Sequence, residues 1–254
     1  MPDLLRQVRG ALLVSLILLL VAASARAEDS YILALTWQPG FCAERAGALE
    51  CKIAAKDKPR LVLHGLWPDW DMNGDSRRDA SDDFCVSGEN NRKVIIRLDS
   101  GSWLMLPPVG LSAVSGAVLA EAMPGTIVGL DRHEWWKHGS CSGLKPEEYF
   151  ATSIALQSAV ERGFLARLLA NKAGATLKRK VLVDAFENDF GRGSARALML
   201  DCANDNGVTS LMEIRIRLKR ETIAQGLSAD SLAIPAKAPR GDCGADIRIR
   251  NWPE

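Results

Sequence analysis

All six cysteines of this chain, Cys42, Cys51, Cys85, Cys141, Cys202 and Cys243, fall after residue 27, and what precedes them reads as a leader. Arg6 and Arg9 supply a positive start, Ala11 to Ala23 is an unbroken apolar run, and Ala25-Arg26-Ala27 is a cleavage signature followed by polar Glu28 and Asp29. A membrane anchor needs about 20 apolar residues, and this run is shorter. Residues 1–27 are therefore expected to be a signal peptide and residues 28–254 one secreted or periplasmic domain. An even cysteine count behind such a leader predicts three disulfides formed in an oxidising compartment. Spacing alone leaves fifteen connectivities open. No C-x-x-C pair is present, which argues against a structural zinc site. No N-x-S/T sequon occurs, and no second hydrophobic span follows the leader. The expected product is a monomer with no membrane segment.

Charge narrows the partners. Losing Arg6, Arg9, Arg26 and Asp3 with the leader moves the formal net charge from +1 to −1. A protein that holds nucleic acid by bulk charge is strongly basic, so any recognition here must be local. The charged pairs on either side of this balance, Lys178-Arg179-Lys180 and the row Arg215, Arg217, Lys219, read as solvated surface.

The pattern along the chain mixes strands and helices without βαβ alternation. Tyr31 to Gln38 reads as a buried strand ended by Pro39-Gly40, and Cys42 to Lys58 as a loop with a helical turn. Arg60 to Leu63 is a second strand running into His64-Gly65-Leu66-Trp67-Pro68. Leu111, Val114, Val118, Leu119 and Ala122 repeat at helical spacing, and Pro146 to Asn171 reads as one or two helices with a break at Gly163. Val181 to Asn188 is a further helix. Ala197 to Asp201, Leu211 to Lys219 and Asp246 to Arg250 read as strands. In Leu211 to Lys219 apolar Ile214, Ile216 and Leu218 alternate with charge, the period of a half-buried strand. This order predicts an α+β fold with a central antiparallel sheet and flanking helices.

The three histidines of the chain sit in two Trp-rich segments: His64 in LHGLWPDW, His133 and His138 in HEWWKHGSC. On a helix, residues four apart share a face, so His133 lies under Lys137 and Glu134 under His138. Trp135 and Trp136 are expected in the core. Two imidazoles, a carboxylate and an ammonium on one side suit a bound phosphodiester. Paired histidines can hold opposite protonation states and act as base and acid together. RNA supplies its own nucleophile, the 2′-hydroxyl, which DNA lacks.

At these residues the sequence resembles the ribonuclease T2 family, whose two motifs match His64-Gly65-Leu66-Trp67-Pro68 and His133-Glu134-Trp135-Trp136-Lys137-His138-Gly139-Ser140-Cys141. The resemblance implies a disulfide-stapled α+β fold. It implies cleavage of single-stranded RNA through a 2′,3′-cyclic phosphate with low base specificity, without metal or other cofactor and without action on DNA. It assigns His138 as general base, His64 as general acid, and Glu134 and Lys137 as stabilisers of the transition state. His133 becomes a phosphate binder, Trp67 a stacking surface for a base, and Asp69 an acceptor for an exocyclic amine. It also implies bridges Cys85–Cys141 and Cys202–Cys243, which leaves Cys42 to Cys51.

Other readings compete. His133-Glu134 and His138 approximate the H-E-x-x-H zinc hydrolase motif, but the spacing is one residue too long and Lys137 stands at the ligand position. Gly139-Ser140-Cys141-Ser142-Gly143 resembles a cysteine nucleophile elbow. A non-catalytic secreted RNA-binding protein would share the leader and the disulfides. Asp69, Asp71, Asn73 and Asp75 match the start of a calcium loop whose twelfth position is Ala80, with Asp79, Asp82 or Asp83 as stand-ins. A solvated acidic turn is the preferred reading of that stretch.

Overall fold

The computed structural model describes residues 30–54, 58–69, 83–205, 208–235 and 241–252. The expected leader and Asp71, Asn73 and Asp75 of the suggested calcium loop lie outside these residues. Among them, six strands form one sheet: β1 (Ser30–Trp37), β2 (Leu61–Asp69), β3 (Thr176–Lys178), β4 (Leu198–Asp205), β5 (Val208–Lys219) and β6 (Asp246–Arg248). The order is β2-β1-β5-β6-β3, with β4 also paired to β5. Every pairing is antiparallel except the short parallel contact of β5 with β6 at Thr209–Ser210.

Eight helices surround the sheet in the described residues: α1 (Gln38–Glu44), α2 (Leu49–Ala54), α3 (Glu89–Asp99), α4 (Ala113–Ala122), α5 (Leu130–Lys137), α6 (Pro146–Glu161), α7 (Phe164–Asn171) and α8 (Arg179–Phe190). The loop expected over Cys42 to Lys58 is thus largely helical, and α3 was not anticipated. The break at Gly163 is real. Asp189 of α8 accepts the backbone N–H groups of Phe164 at 2.6 Å and Leu165 at 3.0 Å, filling donors that a helix start leaves open. The apolar spacing of α4 is only half used: Leu119 is buried, while Val114 and Val118 are exposed. No helix in the described residues is long and apolar enough to cross a membrane.

The sheet has two unlike faces. Tyr31, Leu33, Leu35 and Trp37 of β1, Ile214, Ile216 and Leu218 of β5, and Leu61, Leu63 and Leu66 of β2 join helix residues such as Tyr149, Phe150, Leu156, Leu169 and Phe186 in one core. The opposite face of β5 carries Glu213, Arg215 and Arg217. Read from sequence as solvated charge, this row is instead drawn into the molecule: Glu213 is 7% exposed, and Arg217 pairs with Asp69 at 2.9 Å.

One irregularity in β2 decides which residues reach that face. Leu63 pairs with Leu35 and Gly65 with Ala34, so the register shifts and His64 is the extra residue. A bulge reverses the alternation of side chains beyond it. Leu66 therefore joins Leu61 and Leu63 in the core, and Trp67 turns to the charged face. The hydroxyl of Tyr149 donates to Leu66 O at 2.9 Å and accepts Leu66 N–H at 3.3 Å, completing the backbone of this edge strand where β1 does not reach.

Three disulfides staple the chain: Cys42–Cys51 between α1 and α2, Cys85–Cys141, and Cys202–Cys243 between β4 and the approach to β6. Replacing Cys202 and Cys243 together by serine should cost roughly 2–5 kcal/mol of stability, measured as a lower urea midpoint. An unchanged midpoint would show that the β4–β6 region needs no covalent closure.

Candidate active site

The two histidine segments meet on the charged face of the sheet. His64 Nε2 lies 3.6 Å from Glu134 Oε1, and His133 Nε2 lies 4.0 Å from the same oxygen. The other oxygen of Glu134 accepts the indole N–H of Trp67 at 2.7 Å. Glu134 has no solvent exposure, and its Oε1 has no hydrogen-bond partner. A buried carboxylate oxygen left open between two imidazoles is costly on its own and marks a place where a proton or a ligand belongs.

Gly65 makes this approach possible. A Cβ built at that position would stand 1.9 Å from Glu134 Oε2 and 2.4 Å from Trp67 Nε1, so any side chain would displace the carboxylate. The glycine of the first motif is a clearance for the glutamate of the second.

Each imidazole is backed by a carboxylate at Nδ1. His64 Nδ1 hydrogen-bonds Glu213 Oε2 in a very short contact. His133 Nδ1 bonds Asp99 Oδ1 at 2.6 Å, and its ring stacks on Trp103 with centroids 4.5 Å apart. His138 Nδ1 lies 3.3 Å from Asp83 Oδ1. The hydrogen bonds at His64 and His133 fix which nitrogen carries the proton and how those two rings are turned. For His64 and His133 this leaves Nε2 directed at Glu134.

His138 caps the end of α5 and is 4% exposed. The segment bearing Asp83 is tied to that end in three ways. Phe84 N–H bonds Lys137 O at 2.9 Å, Cys85 N–H bonds Ser140 Oγ at 3.1 Å, and Cys85 is bridged to Cys141. Phe84 sits at φ 59°, in the left-handed region, a conformation that side-chain-bearing residues keep only under such restraint.

Electrostatics follow from burial. Burial pushes the Glu134 carboxyl up to about 7, against the pull of His64, the Trp67 hydrogen bond and Lys137. Burial also opposes charge on His64, but the Glu213 hydrogen bond and the Glu134 and Glu213 charges outweigh it, and its pKa is raised. For His133 burial prevails over Asp99, and the charges of Lys137 and His64 add to it, so its pKa is lowered. Glu213 stays below the usual carboxylate range despite burial, because His64 and Arg215 favour its anion.

The expected residues His64, Glu134, His133 and His138 are therefore brought together, and the half-buried Lys137 acts on two of them through its charge. Trp67 sits among them, but its surroundings differ from those of an open stacking surface. Arg215 lies 5.2 Å from its ring centroid, and the His64 and His138 rings lie 5.2 and 5.4 Å away. Asp69, expected to accept an amine from a base, is 7% exposed and takes Arg217 and the Ser30 hydroxyl instead. The same cation beside it opposes a calcium ligand role. Trp135 packs against Tyr149 at the core as expected, whereas Trp136 is half-buried and donates its N–H to Pro107 O at 2.8 Å. Cys141 is bridged, which removes the cysteine nucleophile. His133, Glu134 and His138 have ligand atoms within 4.8 Å of one another, but the Lys137 charge acting on His133 and Glu134 favours an anion there over a cation.

Sequence reading missed Asp99, Trp103, Glu213 and Arg215, and weighed Asp83 only as a spare calcium ligand. Glu213 left one signal: it is the single acid among Arg215, Arg217 and Lys219 on the polar side of β5. Beside His64 a cavity of about 460 Å³ opens, lined by Thr36, Gln38, Val62, Trp103, Met212 and Arg215 among others.

Known proteins resemble this chain in sequence and in fold. The ribonuclease T2 family model matches residues 28–228. Ribonuclease I of Escherichia coli (strain K12) is 31% identical over 233 residues, covering 87% of this chain and 85% of that protein. Ribonuclease 1 of Arabidopsis thaliana is 26% identical over 252 residues, covering 94% and 96%. The SF11-RNase of Nicotiana alata, associated with gametophytic self-incompatibility, shares the fold with a TM-score of 0.57 at 19% identity, covering 88% of this chain and all of that one. A ribonuclease MC1 variant in complex with 5′-UMP matches with a TM-score of 0.52 at 18% identity, covering 87% and 98%.

Two outcomes test the site geometry. Gly65→Ala should lower kcat by roughly 10²-fold by moving Glu134 about an ångström, with the far-ultraviolet circular dichroism unchanged. Retention of full turnover would mean that the Glu134 position is not critical. Glu134→Gln should stabilise the protein above neutral pH. The raised carboxyl pKa disfavours the folded wild type progressively from its ordinary pKa of 4.5 up to about 7, on the order of 3 kcal/mol once both states are ionised. The variant's advantage in denaturant melts should therefore vanish below pH 4 and level off above pH 7.

Proposed function

Because the chain belongs to the ribonuclease T2 family and is an endoribonuclease, we propose that it cleaves single-stranded RNA by histidine acid–base transphosphorylation at the His64–Glu134–His138 cluster. The observation that carries this reading is the approach of His64 Nε2, from β2, to the open oxygen of Glu134 on the helix that ends at His138. Two sequence segments with no local reason to meet build one cluster of imidazoles around a proton-carrying carboxyl.

His138 removes the proton from the ribose 2′-hydroxyl, whose oxygen attacks phosphorus. The phosphorane that forms gathers negative charge on its equatorial oxygens. Lys137 and His133 offset that charge, and Glu134, with a pKa about 7, is protonated over much of the acidic range and donates a hydrogen bond to it. His64 delivers its proton to the departing 5′-oxygen as the phosphorus–oxygen bond breaks. The product is a 2′,3′-cyclic phosphate. DNA lacks the internal nucleophile and resists. All catalytic functions are met by side chains, so the reaction needs no metal.

Base specificity is low in this reading, since Asp69 is held by Arg217 and offers no dedicated acceptor. The three disulfides support a secreted or periplasmic setting, with residues 1–27 as the signal peptide and residues 28–254 as one catalytic domain acting as a monomer. Nucleotide binding by ribonuclease MC1, a fold relative crystallised with 5′-UMP and with 5′-GMP, supports RNA as the ligand of the cleft.

The purified mature protein in excess EDTA should convert a short RNA to fragments ending in 2′,3′-cyclic phosphate and leave the DNA analogue intact. His64→Ala and His138→Ala should each lower kcat by roughly 10²–10⁴-fold. Loss of activity in EDTA with recovery on zinc addition would replace this mechanism by a metal-dependent one.

A further inference from the structure

His64 has a carboxylate on each side of its ring, hydrogen-bonded at Nδ1 and within ion-pair distance of Nε2. Nε2 faces the open oxygen of Glu134 at 3.6 Å, and Nδ1 bonds Glu213 Oε2. Glu213 stands across the ring from the reacting side. Its second oxygen accepts Arg215 Nε–H at 2.6 Å. Arg215 Nε also lies 2.9 Å from Asp201 Oδ2 on β4, so two acids steady the guanidinium. That guanidinium covers the Trp67 ring, and Trp67 donates to Glu134. The contacts therefore run in a closed loop: His64, Glu213, Arg215, Trp67, Glu134 and back to His64. Turning the His64 ring would break it at two points.

We propose that Glu213 is a positioning residue for His64, holding the proton on Nδ1 and aiming Nε2 so that this nitrogen delivers the proton to the leaving 5′-oxygen. This deepens the assignment of His64 as general acid and rests on it. During the step the Nε2–H bond breaks, the proton passes to the 5′-oxygen as its bond to phosphorus breaks, and the electron pair of that bond becomes the new O–H bond. His64 is left neutral with Nδ1–H still donated to Glu213, and solvent carries back to it the proton that His138 took from the 2′-hydroxyl, which resets both histidines. No other reactant is required.

A carboxylate suits this place better than a neutral acceptor. The imidazolium faces Glu213 and Arg215 from β5, Glu134 and His133 from α5, and Asp201 behind Arg215; Arg45 and Glu50 line the same cavity from the α1 and α2 side. Burial opposes its charge most, and Arg215 adds to that. The two nearest acids must outweigh these, and only Glu213 does so without occupying the reacting nitrogen. Removal of the carboxylate behind a catalytic imidazole leaves the ring free to take the wrong tautomer.

The test uses leaving groups. A dinucleoside phosphate releases an alkoxide that must be protonated, whereas a nucleoside 3′-(4-nitrophenyl phosphate) releases a phenolate that leaves without help. The quantity read is the ratio of kcat for the two substrates in Glu213→Leu, Glu213→Gln and His64→Ala, with thermal melts verifying folding. Glu213→Leu should lower the dinucleotide-to-nitrophenyl ratio by roughly 10²-fold, within the range of a lost acid contribution. Glu213→Gln, which keeps an acceptor oxygen, should lower it by roughly 10-fold and, being nearly isosteric, serves if the leucine variant melts early. His64→Ala should lower it at least as far as either. An unchanged ratio in both Glu213 variants, with a lowered ratio in His64→Ala, would overturn the role of Glu213 and leave the acid assignment standing. An unchanged ratio in His64→Ala would overturn the acid assignment itself, and the proposal with it.

Discussion

Glu134 is fully buried, and its two oxygens do different things. One is satisfied by the Trp67 indole; the other faces His64 and His133 without a hydrogen bond. Everything else in the cleft is arranged around that asymmetry. Burial alone would neutralise the carboxyl, and the surrounding cations alone would ionise it. The balance leaves its pKa near 7, where a small change in what occupies the cleft decides its protonation. In the proposed reaction a phosphate entering beside it would raise the pKa further and make the carboxyl a donor, so that a group costly to bury in the empty protein would complement the charge the reaction develops.

The sheet supplies this carboxyl with its neighbours through a single defect. A regular β2 would place His64, Leu66 and Asp69 according to strict alternation, and Trp67 would point into the core. The extra residue at His64 puts the imidazole at the kink and brings Trp67, one turn of pleat later, onto the same face. Gly65 sits between them because the helix carrying Glu134 needs the space a Cβ would fill. The motif His-Gly-Leu-Trp-Pro is thus one structural device: a bulged imidazole, a clearance, a core anchor held by Tyr149, and an indole that orients the carboxyl.

How much of this could be read from sequence follows from what is local. The strands β1, β2, β4, β5 and β6, the helices α4 and α6 to α8 and the Gly163 break obey short-range periodicity and stop signals, and they were legible. So was the gathering of His64, His133, Glu134 and His138, because two compact motifs name them. The carboxylates behind the imidazoles were not legible. Asp99 ends an unanticipated helix, Asp83 lies beside an acidic stretch that read as loop, and Glu213 is one charge in an alternating strand. Alternation shows that a residue lies on the polar side of a strand, but it does not show whether water or another layer covers that side. The assumption that polar means solvated misplaced Glu213, Arg215 and Arg217, and it also left Asp69 open for a base when Arg217 stands across from it.

The same distinction explains why the site tolerates so much crowding. Three imidazoles, a lysine and four carboxylates share a small volume, and pairwise they would conflict. They are instead segregated by ring nitrogen: Glu213, Asp99 and Asp83 occupy the Nδ1 sides, each from a different element, and Glu134 alone faces Nε2 of His64 and His133. The outer carboxylates offset positive charge that would otherwise repel across the cleft, and the inner side is left with a surplus of donors. The Cys85–Cys141 bridge belongs to this arrangement, because with the Phe84–Lys137 and Cys85–Ser140 hydrogen bonds it ties the segment bearing Asp83 to the end of α5. A fold that staples its outer carboxylates by disulfide, strand register and helix end can leave its inner groups mutually frustrated, and in the proposed reaction the bridging phosphate would relieve that frustration.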